Sequence, residues 1–73
     1  MSDTFRKGQT VSWRWSGGTA TGKIKDRYER KVTRKIKGSE ITRNGDADNP
    51  AYLIEQEDGD EVLKLASELK PAG

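Results

Sequence analysis

The sequence contains no cysteine and no histidine among its 73 residues. No disulfide can form without cysteine, and the soft ligands that zinc, iron–sulfur clusters and haem usually require are missing as well. Long apolar runs are also absent, so we expect neither a signal peptide nor a membrane-spanning segment. These absences predict a cytoplasmic protein without a cofactor or a metal centre.

Large apolar side chains are scarce. Only sixteen are available for a core: three Val, four Ile, four Leu, two Trp, two Tyr and one Phe. The length and this supply predict a single domain over residues 1–73 with a modest core. The net charge of only +2 argues against a disordered chain. Because both ends are polar, we expect an ordered core over about residues 7–69 and flexible segments at 1–6 and 70–73.

The small net charge conceals a strong segregation of charge along the chain. Residues 23–43 contain nine of the fourteen basic residues and three acids, whereas residues 44–63 contain seven acids and no base. Such an asymmetry is typical of interaction surfaces, and it also allows the two segments to neutralise each other in the fold.

Alternating apolar residues predict short β-strands separated by glycine-containing turns. Val11, Trp13 and Trp15 alternate with polar residues, and Gly17-Gly18 then provides the positive φ angles that a hairpin turn requires. The Asp58-Gly59 dipeptide marks a second hairpin. We predict strands near residues 10–15, 19–28, 31–36, 40–43, 51–57 and 61–65, two of which can merge, followed by one helical turn over 66–69.

Residues 26–37 form the ambiguous stretch. Ile24, Tyr28, Val32 and Ile36 recur every four residues, which is compatible with one face of a helix and with alternate inward positions of a strand. The β-branched residues favour a strand, and we adopt that interpretation. The resulting fold class is mainly β: a small, open, SH3-like or Tudor-like barrel of about five strands.

Three runs of the sequence resemble known families of small β-barrel domains. Residues 7–24, with Trp13, Trp15 and the Gly-Gly turn, resemble the first hairpin of Tudor-type domains. More specifically, the run IKGSEITRNG at 36–45 and the run NPAYLIEQ at 49–56 resemble the hypervirulence-associated Tudor-like family. The resemblance covers residues 7–69. It implies an SH3-like barrel and does not imply an activity.

Aromatic side chains are the first candidate binding site. Tudor domains that read methylated lysine or arginine use a cage of aromatic faces that attract the cation. The resemblance places Trp15 where one cage aromatic belongs, but Glu55 and Asp58 stand near the positions that usually supply others. Trp13 is predicted to be a buried core residue and Trp15 to be less buried. Tyr28 is a second candidate for contact with a ligand.

The basic segment is the second candidate site. Its proposed contact residues are Lys23, Lys25, Arg27, Arg30, Lys31, Arg34 and Lys35, with Tyr28 among them for base stacking. These side chains have three open interpretations: a nucleic-acid surface, a surface for an acidic protein partner, or strand faces paired with the acids of 51–61.

The sequence therefore predicts a non-enzymatic binding module that acts as a monomer. A protein or peptide is the expected partner, and nucleic acid is the alternative. Catalysis is not expected, because a barrel this small has little interior in which the pKa of a catalytic group could be tuned. The acids at 46–48 and 58–61 lack the ligand number of a dedicated calcium loop.

Overall fold

The computed structural model describes residues 5–72 of the chain, which form seven β-strands and one turn of 3-10 helix, η1. No α-helix occurs in this part of the chain. The strands are β1 (Thr10–Trp15), β2 (Gly18–Tyr28), β3 (Lys31–Ile36), β4 (Ser39–Asn44), β5 (Ala51–Glu55), β6 (Glu61–Leu65) and β7 (Lys70–Pro71), with η1 (Ala66–Glu68) between the last two.

Five of the strands form an open antiparallel barrel in the order β6-β5-β2-β1-β7. The long strand β2 pairs with β1 through its first half and with β5 through its second half. A bulge between Ile24 and Asp26 bends it at the change of partner. Gly22 lies just before this bend, where a Cβ atom would stand 2.6 Å from Ile54 Cγ2, so close packing requires glycine. The mainly-β, open-barrel prediction is confirmed.

The strand interpretation of residues 26–37 is also confirmed, because β2 runs to Tyr28 and β3 follows it. Two details differ from the sequence prediction. The strand expected over 51–57 ends at Glu55, where the turn that leads into β6 begins; Gln56 N–H donates to the Asp60 carbonyl at 2.7 Å. In addition, no two of the six predicted strands merge into one bent strand, and β3 and β4 form a separate two-stranded sheet.

The first core fills the barrel. It consists of Phe5, Val11, Trp13, Ile24, Tyr52, Ile54, Ala66 and Leu69. The rings of Phe5 and Tyr52 meet edge to face, with their centroids 5.6 Å apart, an arrangement that aromatic pairs favour. The Phe5 backbone N–H also donates to the Tyr52 hydroxyl at 2.9 Å. This hydroxyl therefore has a partner although the side chain is fully buried.

A second core lies on the opposite face of β5. Register partners share a face of a sheet, and Leu53 and Leu63 are partners on the face that points away from the barrel interior. The β3–β4 hairpin covers this face by inserting Val32 against them, with Ile36 and Ile41 at the margin. Strand β5 is therefore buried on both faces, and residues 51–54 read as a continuous apolar run.

The covering hairpin is an insertion between two neighbouring strands of the barrel. Tyr28 ends β2, Ala51 begins β5, and these two residues are register partners. Residues 29–50 therefore leave the barrel and return to it at one point. The Asp46 carboxylate organises the return by accepting hydrogen bonds from the Asp48 and Asn49 amides at 2.9 and 2.7 Å.

Packing extends beyond the ordered core expected over residues 7–69. Phe5 is buried in the first core, and Lys70–Pro71 pairs with Val11 and Ser12 of β1. An aromatic residue near a polar terminus can still be held when the barrel offers it a partner ring, as Tyr52 does here. Residues 1–4 and 73, which were also expected to be flexible, lie outside the described residues.

Candidate functional site

Trp15 is the exposed aromatic of the described chain, with 56% of its surface accessible, whereas Trp13 is only 5% accessible. Both predictions from the sequence are thereby confirmed. The Trp15 ring folds over the backbone of the following turn, since a Cβ atom on Gly17 would lie 2.2 Å from the ring. Because Gly17 has no side chain, one face of the Trp15 ring packs directly on the backbone, and the rest of the ring is exposed to solvent.

The predicted basic segment divides into two groups. The first group is paired with acids: Lys25 with Glu61 at 3.2 Å and Glu55 at 3.7 Å, Lys37 with Asp60 at 2.6 Å, Arg43 with Glu68 at 3.6 Å, and Arg27 with Glu29. The hydrogen bond to Glu61, and next the charge of Glu55, raise the pKa of Lys25. The hydrogen bond to Glu29 raises the pKa of Arg27.

Most of these pairs connect distant parts of the chain. Lys25 of β2 reaches the two acids at the start of β6 and the end of β5, and Lys37 ties the tip of the hairpin to the turn before β6. Exposed ion pairs contribute little each, roughly 0–1 kcal/mol. These pairs matter mainly for the charge of the surface, because they neutralise part of the positive charge of the basic segment.

The second group keeps its charge unpaired. Within residues 5–72, no ion pair involves Lys23, Arg30, Lys31, Arg34 or Lys35. Lys23 lies across from Glu55 in the sheet, so an acid remains beside it. The other four occupy β3 and the residue before it, and all four are exposed. We call Arg30, Lys31, Arg34 and Lys35 the β3 strip.

Tyr28 lies beside this strip but is only partly accessible. The residue packs at the margin of the second core, and the Arg30 guanidinium stands 5.6 Å from the centre of its ring. That distance is typical of a cation–π contact, so one ring face is already occupied by a side chain of the same protein. Tyr28 is therefore poorly placed to stack on a nucleic-acid base.

The surface carries several shallow grooves rather than a deep cleft. One of about 360 Å³ runs between β4 and β6, and Ile36, Ile41, Val62 and Leu63 contribute its apolar lining. Another of about 550 Å³ lies near Trp13, Arg14 and Lys70. Among residues 5–72 no charged side chain is buried. The environment that tunes catalytic carboxylates is thus not found in this part of the molecule.

The chain matches the family model for the Tudor domain of hypervirulence-associated proteins over residues 8–69. The match covers most of the chain. The chain belongs to this Tudor family. Comparison with curated proteins and with solved structures gives no significant match.

The aromatic residues of this Tudor domain do not converge. Trp15 pairs with Gly18 at the beginning of β2, whereas Tyr28 ends the same strand. Tyr52 is sealed in the first core behind Phe5. An aromatic cage for a methylated cation needs several ring faces around one space, and the rings of residues 5–72 do not provide it.

Two aspartates of the Tudor domain, Asp46 and Asp58, organise their own loops. The Asp58 carboxylate accepts from the Asp60 amide at 3.0 Å, in the same manner as Asp46 in the preceding loop. The described residues contain no cluster of three or more His, Cys, Asp or Glu that could hold a metal ion. None of the helices in the described chain is long and apolar enough to cross a membrane.

Sequence reasoning brought together side chains that the fold separates. Lys25 and Arg27 were grouped with Arg30, Lys31, Arg34 and Lys35 as one basic surface, but the first two are ion-paired on the barrel and the other four lie on the inserted hairpin. The missed feature is the unpaired edge of β3. The signal that could have revealed it is the continuous apolar run at 51–54, which indicates that something covers the second face of β5.

Proposed function

We propose that this Tudor domain is a non-enzymatic protein-interaction module that binds an extended peptide. Membership in a Tudor family makes it a binding domain in general. The observation that carries the finer proposal is the division of the basic segment, which confines its unpaired positive charge largely to a single edge strand, β3.

The distribution of charge favours a peptide over a nucleic acid. A phosphate backbone is bound best by many cations gathered on one face, since each neutralised phosphate adds to the affinity. Here Lys25, Lys37 and Arg43 already contact acids, and the acids of β5 and β6 repel phosphate. An edge strand, by contrast, offers main-chain hydrogen bonds along with its charges, and this combination suits an extended peptide.

Nucleic-acid binding is the second candidate function, and the β3 strip is the observation in its favour. Arg30, Lys31, Arg34 and Lys35 carry four positive charges within six residues. The contact of Arg30 with Tyr28 argues against it, because the aromatic ring in the strip is then not free for a base. Exposed Trp15 ends β1 beside the β1–β2 turn, away from the β3 strip in sequence, so we treat it as a separate contact for a peptide.

The remaining parts of the proposal follow from the same features. We propose no catalytic activity, since the charged side chains of the described chain are exposed or half-exposed. We propose that the domain acts as a monomer in the cytoplasm, where a chain without cysteine needs no disulfide. Size-exclusion chromatography with light scattering tests the monomer.

The experiment that tests the function is an amide NMR titration of the uniformly labelled domain. Three sets of probes are compared: extended peptides of acidic, neutral and basic composition, methylated peptides, and single- and double-stranded oligonucleotides. Each set is titrated at about 50 mM and about 200 mM salt, the range over which phosphate contacts weaken strongly. Saturable shifts with a peptide and none with oligonucleotides are the expected result.

Two outcomes would contradict the proposed function. Saturable, salt-sensitive shifts with oligonucleotides and none with peptides would make this a nucleic-acid module. A response to neither class would remove the peptide-binding function altogether. Shifts confined to Trp15 and its neighbours with a methylated peptide would keep the function and move the contact to the β1–β2 turn.

A further inference from the structure

The β3 strand has one edge that carries free main-chain groups. The β3–β4 turn has two residues, Lys37 and Gly38, with φ angles of 51° and 80°. Positive φ at both central residues is the mark of a type I′ hairpin turn. In such a hairpin the pair that flanks the turn is hydrogen-bonded and the alternation continues outward. The hydrogen-bonded pairs are therefore Ile36–Ser39, Arg34–Ile41 and Val32–Arg43.

Two contacts agree with this alternation. Beyond the last pair, the Gly45 N–H donates to the Arg30 carbonyl at 3.2 Å, which continues the same series. Between the pairs, the hydroxyls of Thr33 and Thr42 lie 2.9 Å apart, as the closer side chains of a non-hydrogen-bonded pair should. The N–H and C=O groups of Lys31, Thr33 and Lys35 consequently point away from β4.

No described strand pairs with this edge, since the two-stranded sheet consists of β3 and β4 alone. The residues whose main-chain groups point outward are all exposed, and two of them are lysines. Arg34 and Arg30 add two further charges at the same edge. Glu40 lies across from Lys35 on β4, and Glu29, which precedes Arg30, contacts Arg27.

We propose that an acidic extended peptide adds to β3 as the third strand of the β3–β4 sheet. This inference rests on the proposed peptide-binding function and names its surface and the chemistry of its partner. Main-chain hydrogen bonds to Lys31, Thr33 and Lys35 hold the added strand, and acidic side chains meet the β3 strip.

The register sets the sequence that the peptide needs. In an antiparallel arrangement, residues directly opposite each other share a face and can form cross-strand charge pairs. Acids four positions apart then stand opposite Lys35 and Lys31, and a β-branched residue midway between them meets Thr33. A second acid next to each of the first two stands opposite Arg34 and Arg30. The hexapeptide EETVEE, with blocked ends, has this pattern.

The same charges disfavour a second copy of the domain as the occupant. Lysine on an exposed edge strand is a common device against edge-to-edge pairing, because two such edges repel each other. An added β3 from another copy would place cations opposite cations. An acidic strand is attracted by the same lysines that repel a second copy, so the β3 edge selects its partner by charge.

The test uses amide NMR titration with EETVEE and two backbone-methylated versions of it. Methylation of the threonine nitrogen removes a hydrogen that faces β3 and adds a methyl group in the way of pairing. Methylation of the neighbouring valine nitrogen alters a group that faces away from β3. The two methylated peptides have the same composition and the same charge. We expect shifts centred on residues 30–36 with the parent and the valine-methylated peptide, and none with the threonine-methylated one.

Variants of the domain test the charge requirement. The double variant Lys31→Glu and Lys35→Glu is expected to weaken binding by at least about tenfold, because each exposed charge pair accounts for up to roughly a fivefold change and here becomes repulsive. The matched control, Arg14→Glu with Lys70→Glu, changes the net charge equally at the β1–β7 side and should bind normally. Thr33→Pro removes one outward N–H and should prevent addition of the strand.

Binding that tolerates threonine methylation or the Lys31 and Lys35 reversal would overturn the proposal. Loss of binding in the Arg14 and Lys70 control alone would also overturn it and would place the peptide near Trp15, with the peptide-binding function intact. If acidic peptides fail while other peptides bind, the edge site is wrong and the function stands. If oligonucleotides alone bind, both the site and the function are wrong.

Discussion

The two cores of this domain are built in different ways. The first core draws on residues spread along nearly the whole described chain, from Phe5 to Leu69, and it contains three aromatic side chains. The second core is aliphatic at its centre and depends on one hairpin that folds over Leu53 and Leu63. Only four of its residues are buried, and partly buried side chains surround them.

This difference predicts unequal contributions to stability. The first core holds the strands of the open barrel together through contacts between residues distant in sequence, so its loss should unfold the domain. The second core is a local addition on the outside of the barrel. A hairpin that is held on one face and free at both edges should open more often than the barrel does. The contrast also places the proposed peptide site on the more adaptable of the two regions.

The largest expected effect is the loss of Trp13. A Trp13→Ala variant should lose about 3–5 kcal/mol of unfolding free energy, which is enough to unfold a domain of this size. Urea denaturation followed by circular dichroism measures it. Trp15→Ala is the matched control, because the ring is exposed. Its stability should change by only about 0.5 kcal/mol, as is usual for surface substitutions. Equal losses in the two variants would show that the barrel core is wrongly identified.

Neighbouring residues of β5 allow the two cores to be compared directly. Ile54 faces the first core and Leu53 the second, and their exposures are 0% and 2%. Truncation of such residues to alanine costs about 2–5 kcal/mol. We expect Ile54→Ala near the upper end and Leu53→Ala near the lower end, because the hairpin can settle into the space that Leu53 leaves.

Amide hydrogen exchange distinguishes the two variants further. Leu53→Ala should speed exchange mainly in β3 and β4, whereas Ile54→Ala should speed it throughout the barrel. The same pattern of exchange in both variants would mean that the two cores open as one unit.

Replacing a glycine of the barrel and a glycine of the hairpin by alanine should destabilise the domain for different reasons. Gly22→Ala forces a Cβ atom to within 2.6 Å of Ile54 and 2.8 Å of the Glu55 carbonyl oxygen. We expect an overpacking cost of about 1–3 kcal/mol. Gly38→Ala meets no atom within 4 Å, but φ is 80°. Its cost is conformational and should be about 1 kcal/mol. Thermal unfolding of both variants measures the difference, and a larger loss for Gly38→Ala would contradict it.

The smallest expected effect concerns the ion pair that joins the hairpin tip to the barrel. The hydrogen bond from Lys37 holds the pKa of Asp60 below its ordinary value of 3.8. A carboxyl group with a lowered pKa in the folded state stabilises the protein above its ordinary pKa, and this contribution is lost as the pH falls through the folded value. Lys37→Met should raise the pKa of Asp60 in a carbon-13 carboxyl titration. An unchanged titration would show that the pair does not form in solution.

The positions of the strands were predictable because their signals are local. Alternation at 10–15 and the Asp58-Gly59 turn depend on neighbouring residues, and the strands they predict are present. That the β3–β4 hairpin covers the outer face of β5 was not predictable. Period-two alternation indicates that one face of a strand is buried, but it does not indicate which segment buries it. Tyr28, Val32 and Ile36 were correctly predicted to face inward, yet the interior they face is the second core.

The candidate site was less predictable for the same physical reason. Whether a lysine is neutralised depends on acids far away in sequence: Lys25 meets Glu61, thirty-six positions later, and Lys37 meets Asp60. The exposure of Trp15 was predictable, because the residue lies at a strand end just before a glycine-containing turn. The free edge of β3 depends on the order of strands in space, which composition does not contain.

Tyr28 and Ala51 are register partners, so residues 29–50 form a cassette, a segment that could be replaced as a unit. Because the segment departs and returns at adjacent positions, a loop or hairpin of another length can occupy this place without a change in the pairing of β2 with β5. The one requirement is a cover for Leu53 and Leu63, or polar residues in their positions. Relatives of this domain could therefore change their binding surface by replacing the cassette while keeping the barrel, and the same junction is a place to graft recognition hairpins onto a small scaffold.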